Sequence, residues 1–378
     1  MKILISVFTF HPERNGVAHA AYVHAKFLIS LGHEVCVYTA GNCMEGKCLN
    51  GINIMYFNIK GSGSIIKPIV GEIEKYINMV ETNCFDVIFS YCWQTWNTGL
   101  IPRLNNFRGK IVLVSHGISV NTWFDFKSLV HSISWTLYKK NEIKNIYSKV
   151  NDVIYLSDIK DFDRFYDALV MPQHVSKWVI RNPVVPYINE NKEYSKQIEI
   201  LCIGAFSRLK NEKFLIKALL DRRFENISLR MYGNLHSSYY ASLIKLIKKN
   251  EIDFNKRNIN IVTYSGDTDE QIEKAYVKAD VFVSTSETEC QPMVILDAMR
   301  FSVPFLSKKV GSVPEFSGGF VYTSLQELQE NLLYLIRNRD VRVEMGKAGF
   351  EYIRKNHSYT NYAKINSALL DRLAVDND

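Results

Sequence analysis

Two carboxylates eight positions apart, Glu289 and Asp297, sit where the chain changes character. Upstream of them Val281–Val283 is a short apolar run flanked by Ser and Thr, the pattern of a buried strand. An acidic loop follows, Ser286-Glu287-Thr288-Glu289-Cys290-Gln291. From Pro292 the apolar residues recur at helical spacing, and proline is tolerated at a first helical position. Strand, loop and helix in that order predict a helix N-terminus at the carboxyl end of a strand. Open α/β sheets bind ligands there, and N–H groups and the helix dipole favour phosphate. The spacing puts Glu289 at the helix mouth and Asp297 about one and a half turns inside. A nucleotide-sugar needs such a layout: phosphate on the N–H groups around Gln291–Met293, one acid near the sugar, another accepting ribose hydroxyls. Two acids near a helix start are equally ordinary partners of its dipole.

A second loop bears cations. The strand Ile198–Ile203 runs into Gly204-Ala205-Phe206-Ser207-Arg208-Leu209-Lys210-Asn211, and a helix is expected to begin near Asn211, with Phe214, Leu215, Ala218 and Leu219 on its apolar side. A nucleoside diphosphate needs fixed cations to offset its charge, and a loop between strand and helix can hold them. A solvated surface lysine is the plain alternative for Lys210.

On these residues the chain resembles glycosyltransferase family 4. That family's acidic signature is matched by Glu289, seven intervening residues, Asp297, Ala298-Met299, Pro304 and the turn Gly311-Ser312-Val313-Pro314-Glu315. Asp297 stands where the family has a second Glu, and Cys290-Gln291 replaces its usual Gly-aromatic pair. The family's phosphate loop is matched at Gly204, Ser207, Lys210 and Asn211, with Ala205 in place of its Arg. In the first half the loop Thr9–Gly16 keeps only Gly16 of a Gly-Gly pair, and His116-Gly117 directly after a strand is similar to a His-Gly pair near the donor sugar.

The resemblance implies a GT-B fold, α/β, with two Rossmann-like doubly wound domains facing across a cleft, and transfer with retention of configuration. Lys210 and Arg208 would neutralise the leaving diphosphate, Glu289 would contact the donor sugar and support developing positive charge, and His116 would make a polar contact with that sugar. Asp297 would accept the ribose hydroxyls, with Gly16, Gly204, Gln291, Pro292 and Met293 lining the donor. The implied donor is a UDP- or GDP-sugar, bound without metal or cofactor. The implied acceptor is a hydroxyl of a glycan or polyprenyl-diphosphate-linked oligosaccharide, in bacterial surface polysaccharide (O-antigen or capsule) synthesis. The departures at Ala205 and Asp297 also suit a binding protein that kept the fold without turnover. A sugar-nucleotide epimerase is the nearer catalytic alternative.

The elements that position these residues alternate. Strands are expected at 2–8, Glu34–Thr39, Ile52–Phe57, Asp86–Ser90, Ile111–Ser115, Asp152–Leu156, Ile227–Tyr232 and Ile259–Tyr264, with helical stretches between them, the pattern of a doubly wound sheet. The first βαβ unit lacks a GxGxxG fingerprint. A polar, proline-bearing stretch from Arg181 to Lys196 reads as a linker between domains at 1–182 and 197–355, and an amphipathic helix near 358–373 is expected to cross back to the first. Trp93 and Trp96 follow a strand end and could stack on an acceptor sugar or pack in the core. The stretch 122–149 places Phe126, Val130, Ile133 and Leu137 at helical spacing among lysines, which suits a membrane-surface helix or one lying on the sheet.

Composition sets bounds. A chain of 378 residues is long enough for two cores, and 47% hydrophobic with 22% charged residues is globular. Seven cysteines form no CxxC pair and read as reduced thiols of a cytoplasmic protein, with the inner face of the cytoplasmic membrane as a further place of work. No run approaches the length of a membrane span. Residues 1–182 hold 19 Lys and Arg against 14 Asp and Glu, most of the +7 excess; that is too diffuse for a nucleic-acid face and compatible with anionic lipid. The tail Asp376-Asn377-Asp378 reads as a polar terminus and not as a metal triplet.

Overall fold

A computed structural model describes residues 1–13, 15–41, 47–118, 126–158, 164–187 and 197–375. Cys43, the end of the linker stretch and the tail 376–378 lie outside them. The chain divides into two α/β units, Met1–Asn182 with Tyr362–Asp378, and Pro183–Asn361.

Unit 1 alternates strand and helix. β1 (Lys2–Val7), α1 (Gly16–Ser30) and β2 (Glu34–Ala40) form the opening βαβ unit, followed by the short β3 (Lys47–Leu49) and β4 (Ile52–Phe57). A small ribbon, β5 (Ile59–Lys60) with β6 (Val70–Gly71), precedes α2 (Ile73–Thr82), β7 (Val87–Tyr91), α3 (Trp96–Gly99) and β8 (Lys110–Ser115). The long α4 (Phe126–Tyr147), β9 (Asp152–Tyr155), α5 (Tyr166–Leu169) and β10 (Ser176–Val179) complete it. The sheet runs β10-β9-β8-β7-β1-β2-β4-β3, parallel throughout except where β3 pairs with β4. Its strands read as unbroken apolar runs because helices cover both faces of a parallel sheet. The core gathers Ile3, Ile5, Val37, Phe89 and Val112 from the sheet, together with Tyr362, Leu369, Leu370 and Leu373 of the C-terminal helix Tyr359–Val375.

Unit 2 repeats the scheme with β11 (Ile198–Ile203), α6 (Lys213–Ala218), β12 (Ile227–Tyr232), α7 (Ser238–Lys249), α8 (Glu251–Lys256), β13 (Ile259–Tyr264), α9 (Asp269–Lys278), β14 (Val281–Ser284) and α10 (Met293–Arg300). β15 (Phe305–Lys308), β16 (Gly319–Tyr322), α11 (Leu325–Arg337) and α12 (Arg339–Asn356) follow. The order β13-β12-β11-β14-β15-β16 is wholly parallel. Strand order therefore reverses between β11 and β14, and the crevice of such a sheet opens at the carboxyl ends of those two strands. The loops that leave them are Gly204–Asn211 and the acidic loop, the two stretches that carry the candidate chemistry.

Six strands were not legible in sequence, among them β3, β5 and β6 of only two or three residues. β10, β15 and β16 are four residues each, and Pro304, Gly311, Gly318 and Gly319 punctuate the last two like loop. α10 starts one residue later than expected, with Pro292 as its N-cap in extended conformation. Among the described residues no helix is long and apolar enough to cross a membrane.

Candidate functional site

In unit 2 the two loops at the strand-order reversal are tied together. The Glu287 N–H donates to the Leu209 carbonyl at 2.7 Å, and the Thr285 hydroxyl donates to the Lys210 carbonyl at 2.9 Å. Two ion pairs form a charged row along them. Lys210 Nζ is ion-paired with Glu289, and Lys308 Nζ, at the end of β15, with Glu287. Glu287 also accepts from the Asn211 side-chain amide at 2.7 Å. The Lys210 and Glu289 side chains retain 31% and 13% of their exposure, so the pair lies at a partly dehydrated surface where a second anion or cation could still reach it.

The Gly204–Asn211 loop is held from below by Glu212. This carboxylate is buried, and its Oε1 accepts the Phe206 N–H at 3.1 Å; burial raises its pKa. Gly204 is required by that contact, since a Cβ there would stand 2.5 Å from Glu212 Oε1. Phe206 is buried at positive φ, stacked on Tyr240 at 5.3 Å. With the ring turned inward, the exposed residues of the loop are Ala205, Arg208 and Leu209. The acidic loop is fixed from its far side, where the Ser312 N–H donates to the Cys290 carbonyl at 2.9 Å. Gly311 there has φ +48°, and a Cβ would meet the Glu289 and Cys290 carbonyls at 2.4 Å.

Gln291 and Pro292 are buried and Met293 half-buried at the mouth of α10. Asp297, one third exposed, lies 3.3 Å from Arg300 Nε. Burial pushes its carboxyl up to about 6; Arg300 opposes the rise, and Glu273 and Asp269 add to it. Tyr232 and Tyr264 stack at 4.8 Å at the ends of β12 and β13, with Tyr264 exposed.

Unit 1 carries the remaining candidates. Gly16 opens α1 behind its N-cap Asn15, whose Oδ1 accepts the Ala18 N–H at 2.9 Å. The loop before it borders a cavity of about 390 Å³ at the ends of β1 and β2, lined among others by Phe8, His11, Glu13, Thr39 and Tyr56. His116 follows β8, with its ring 5.9 Å from that of Tyr91. Burial, then the charge of Arg164, pulls its pKa down to about 4, so the imidazole is neutral at pH 7. Its loop is clamped: the Ile118 N–H donates to the Arg164 carbonyl at 2.7 Å, and Arg164 donates back to the Ile118 carbonyl at 3.0 Å.

Trp93 and Trp96 correct the acceptor expectation. Both are buried, at 3% and 2% exposure, so neither offers a ring face to a sugar. Trp93 Nε1 donates instead to Asp167 Oδ2 at 2.7 Å, and Trp96 packs edge-on against Tyr76.

Sequence reasoning missed Glu287, Lys308, Glu212 and Asp167. Glu287 was visible as the first acid of the loop but had no assigned partner. Its partner Lys308 sits on β15, a strand to which the sequence pattern gave no assignment. Glu212 looks like one more polar residue after Lys210-Asn211, and only the fold shows it beneath the loop.

Residues 186–352 match the family model described as Glycosyl transferases group 1. The chain is 29% identical over 102 residues to sulfoquinovosyl transferase SQD2 of Arabidopsis thaliana, covering 25% of this chain and 19% of that protein. It is 21% identical over 256 residues to an uncharacterized 41.2 kDa protein in the cps region of Klebsiella pneumoniae, covering 63% and 64%. It thus spans less than two thirds of either relative. Among solved structures, Anabaena HepE in complex with UDP-glucose superposes with TM-score 0.68 at 15% identity, over 97% of this chain and 99% of that one. Likeness over nearly the whole chain identifies the fold as GT-B. The similarity to the group 1 glycosyl transferases covers residues 186–352, most of unit 2.

Proposed function

We propose that the protein transfers a sugar from a nucleoside diphosphate sugar to a hydroxyl of a glycan or lipid-linked oligosaccharide. The observation that carries the reading is the row Lys210, Glu289, Glu287 and Lys308, on the two loops flanking the strand-order reversal of unit 2 and on the adjoining end of β15. The donor diphosphate lies against Lys210 and Arg208, with N–H groups at the mouth of α10 beneath it. These fixed donors stabilise the departing charge in a site where water is partly excluded. Asp297 takes the ribose hydroxyls. Glu289, released from Lys210, faces the anomeric centre as positive charge develops. His116, neutral at pH 7, serves as a hydrogen-bonding contact for the transferred sugar and not as a base. Retention of configuration belongs to the same reading, as does work on a bacterial surface polysaccharide; the cps-region relative supports the latter. UDP-sugars are the first donors to test, because HepE was solved with UDP-glucose.

The experiment is thermal stabilisation by UDP-, GDP-, ADP- and dTDP-sugars, followed by turnover with the donor that binds. A ligand at a hundred times its Kd stabilises the folded chain by about 2.7 kcal/mol. Lys210→Ala should lower turnover by about two orders of magnitude at unchanged Tm. A wild-type rate in that variant refutes the phosphate assignment. Donor binding without turnover on any acceptor favours the binding-protein reading, for which the exposed Ala205 in place of an Arg is the specific observation.

A further inference from the structure

The ribbon β5–β6 of unit 1 is closed by a loop whose backbone is fixed. The Ser62 N–H donates to the Lys67 carbonyl at 2.9 Å, and the Lys67 N–H to the Ser64 carbonyl at 3.1 Å. Ser62 and Ser64 are buried, and Gly61 and Gly63 take positive φ to make the turn. The tip this builds is Ile65-Ile66, 74% and 46% exposed. Two adjacent isoleucines exposed on an ordered turn bury little for the fold and form an apolar patch of the kind that marks an interaction site.

A second apolar stripe lies beside it. On α4, Val130, Ile133 and Leu137 recur at helical spacing and are 39%, 55% and 40% exposed, while the opposite side buries Trp135, Tyr138 and Ile146. The loop abuts this helix: a Cβ on Gly63 would come within 3.5 Å of the Tyr138 ring. The exposed charges beside the two stripes are mostly positive: Lys60, Lys67 and Lys144. Loop 61–71 contains no acid and α4 contains only Glu142.

We propose that the Ile65–Ile66 turn and the Val130–Ile133–Leu137 stripe form one face that docks unit 1 on an anionic lipid bilayer. Apolar side chains enter the interface while the surrounding lysines meet lipid phosphates, and stable attachment requires both contributions. A second copy of the chain would cover the same apolar area but would bring its own lysines against these ones, so the charge favours a membrane. The inference does not depend on the reaction in unit 2.

The test is co-sedimentation of the full chain with extruded vesicles of phosphatidylcholine alone, or mixed in equal parts with phosphatidylglycerol. The protein should pellet with the anionic vesicles, pellet poorly with the neutral ones, and be partly released by salt. The double variant Ile65→Ser, Ile66→Ser and the single variant Ile133→Ser should each lower partitioning about tenfold. Ile252→Ser, at a 75% exposed position of unit 2, should leave it unchanged. An unaltered Tm and circular dichroism spectrum in every variant show that the fold is intact. Wild-type partitioning in the turn and stripe variants, or absence of pelleting with anionic vesicles, overturns the proposal. So does a change of mass by light scattering in those variants without a change in lipid partitioning, which would make the face a contact between copies.

Discussion

Asp167 is the most confined charge-bearing group of unit 1. Its Oδ2 accepts from Trp93 Nε1 at 2.7 Å and the Ser115 hydroxyl at 2.9 Å, and its Oδ1 is buried with no partner among the described residues. Burial pushes its pKa up to about 6, against the pull of Ser115, Trp93 and Tyr155. A raised carboxyl pKa opposes folding when the group is ionised. That penalty is complete above about pH 6 and is relieved as the pH falls toward the unfolded value. A shift of about two units corresponds to roughly 3 kcal/mol. Asp167→Asn removes the ionisation and keeps an oxygen for both donors. The variant should therefore gain on wild type at pH 7.5 by about 1–3 kcal/mol. The gain should shrink toward pH 4, read as the difference in urea midpoints. The comparison is between variants because His24 and His116, both buried and depressed, add an acid penalty of opposite sign to each. A pH-independent difference would show that folding does not raise the pKa of Asp167.

At the scale of elements, the two loops owe their geometry to residues outside the charged row. Gly311 is the clearest, because its left-handed backbone lets the 311–315 turn press against the carbonyls of Glu289 and Cys290. Gly311→Ala should cost about 1–3 kcal/mol and move Glu289 away from Lys210. The expected readout is a lower Tm together with loss of the donor-induced shift; a lower Tm alone would mean that the acidic loop tolerates the displacement. The strands that carry these loops were legible, since β11 and β14 are short runs rich in apolar residues, and the reversal of order between them turns their loops into spatial neighbours. What remained hidden were contacts that parallel pairing creates at long range. Lys308 meets Glu287 only because β15 lies next to β14. Likewise the burial of Trp93 and Trp96 follows from Asp167 and Tyr76, residues far off in sequence, and no local pattern announces it.

For the whole molecule, the chain passes from unit 1 to unit 2 and ends in unit 1 again. The returning segment supplies Tyr362, Leu369, Leu370 and Leu373 to the first core, and Arg372 reaches the buried Asp152 at 2.9 Å. Unit 1 therefore cannot finish its core until the helix Tyr359–Val375 is made. Leu369→Ala removes a fully buried side chain and should cost about 2–5 kcal/mol. Hydrogen exchange should show the loss in β1 and β2, while unit 2 keeps its protection and its donor-induced shift. Equal loss of protection in both units would show that they unfold as one.

The pairing of Lys210 with Glu289 has a further consequence if Lys210 is where phosphate binds. The empty site then already holds its own anion, a tethered carboxylate that occupies the lysine whenever the diphosphate is away. An incoming donor must displace this resident, and after transfer the resident competes to return. Departure of the nucleoside diphosphate thus becomes an exchange of one negative group for another and leaves no bare cation behind. Glu289→Gln, which keeps the shape and drops the charge, should hold UDP several-fold more tightly and release it more slowly in calorimetry and stopped flow, and equal affinity in the two proteins would show that no such exchange takes place.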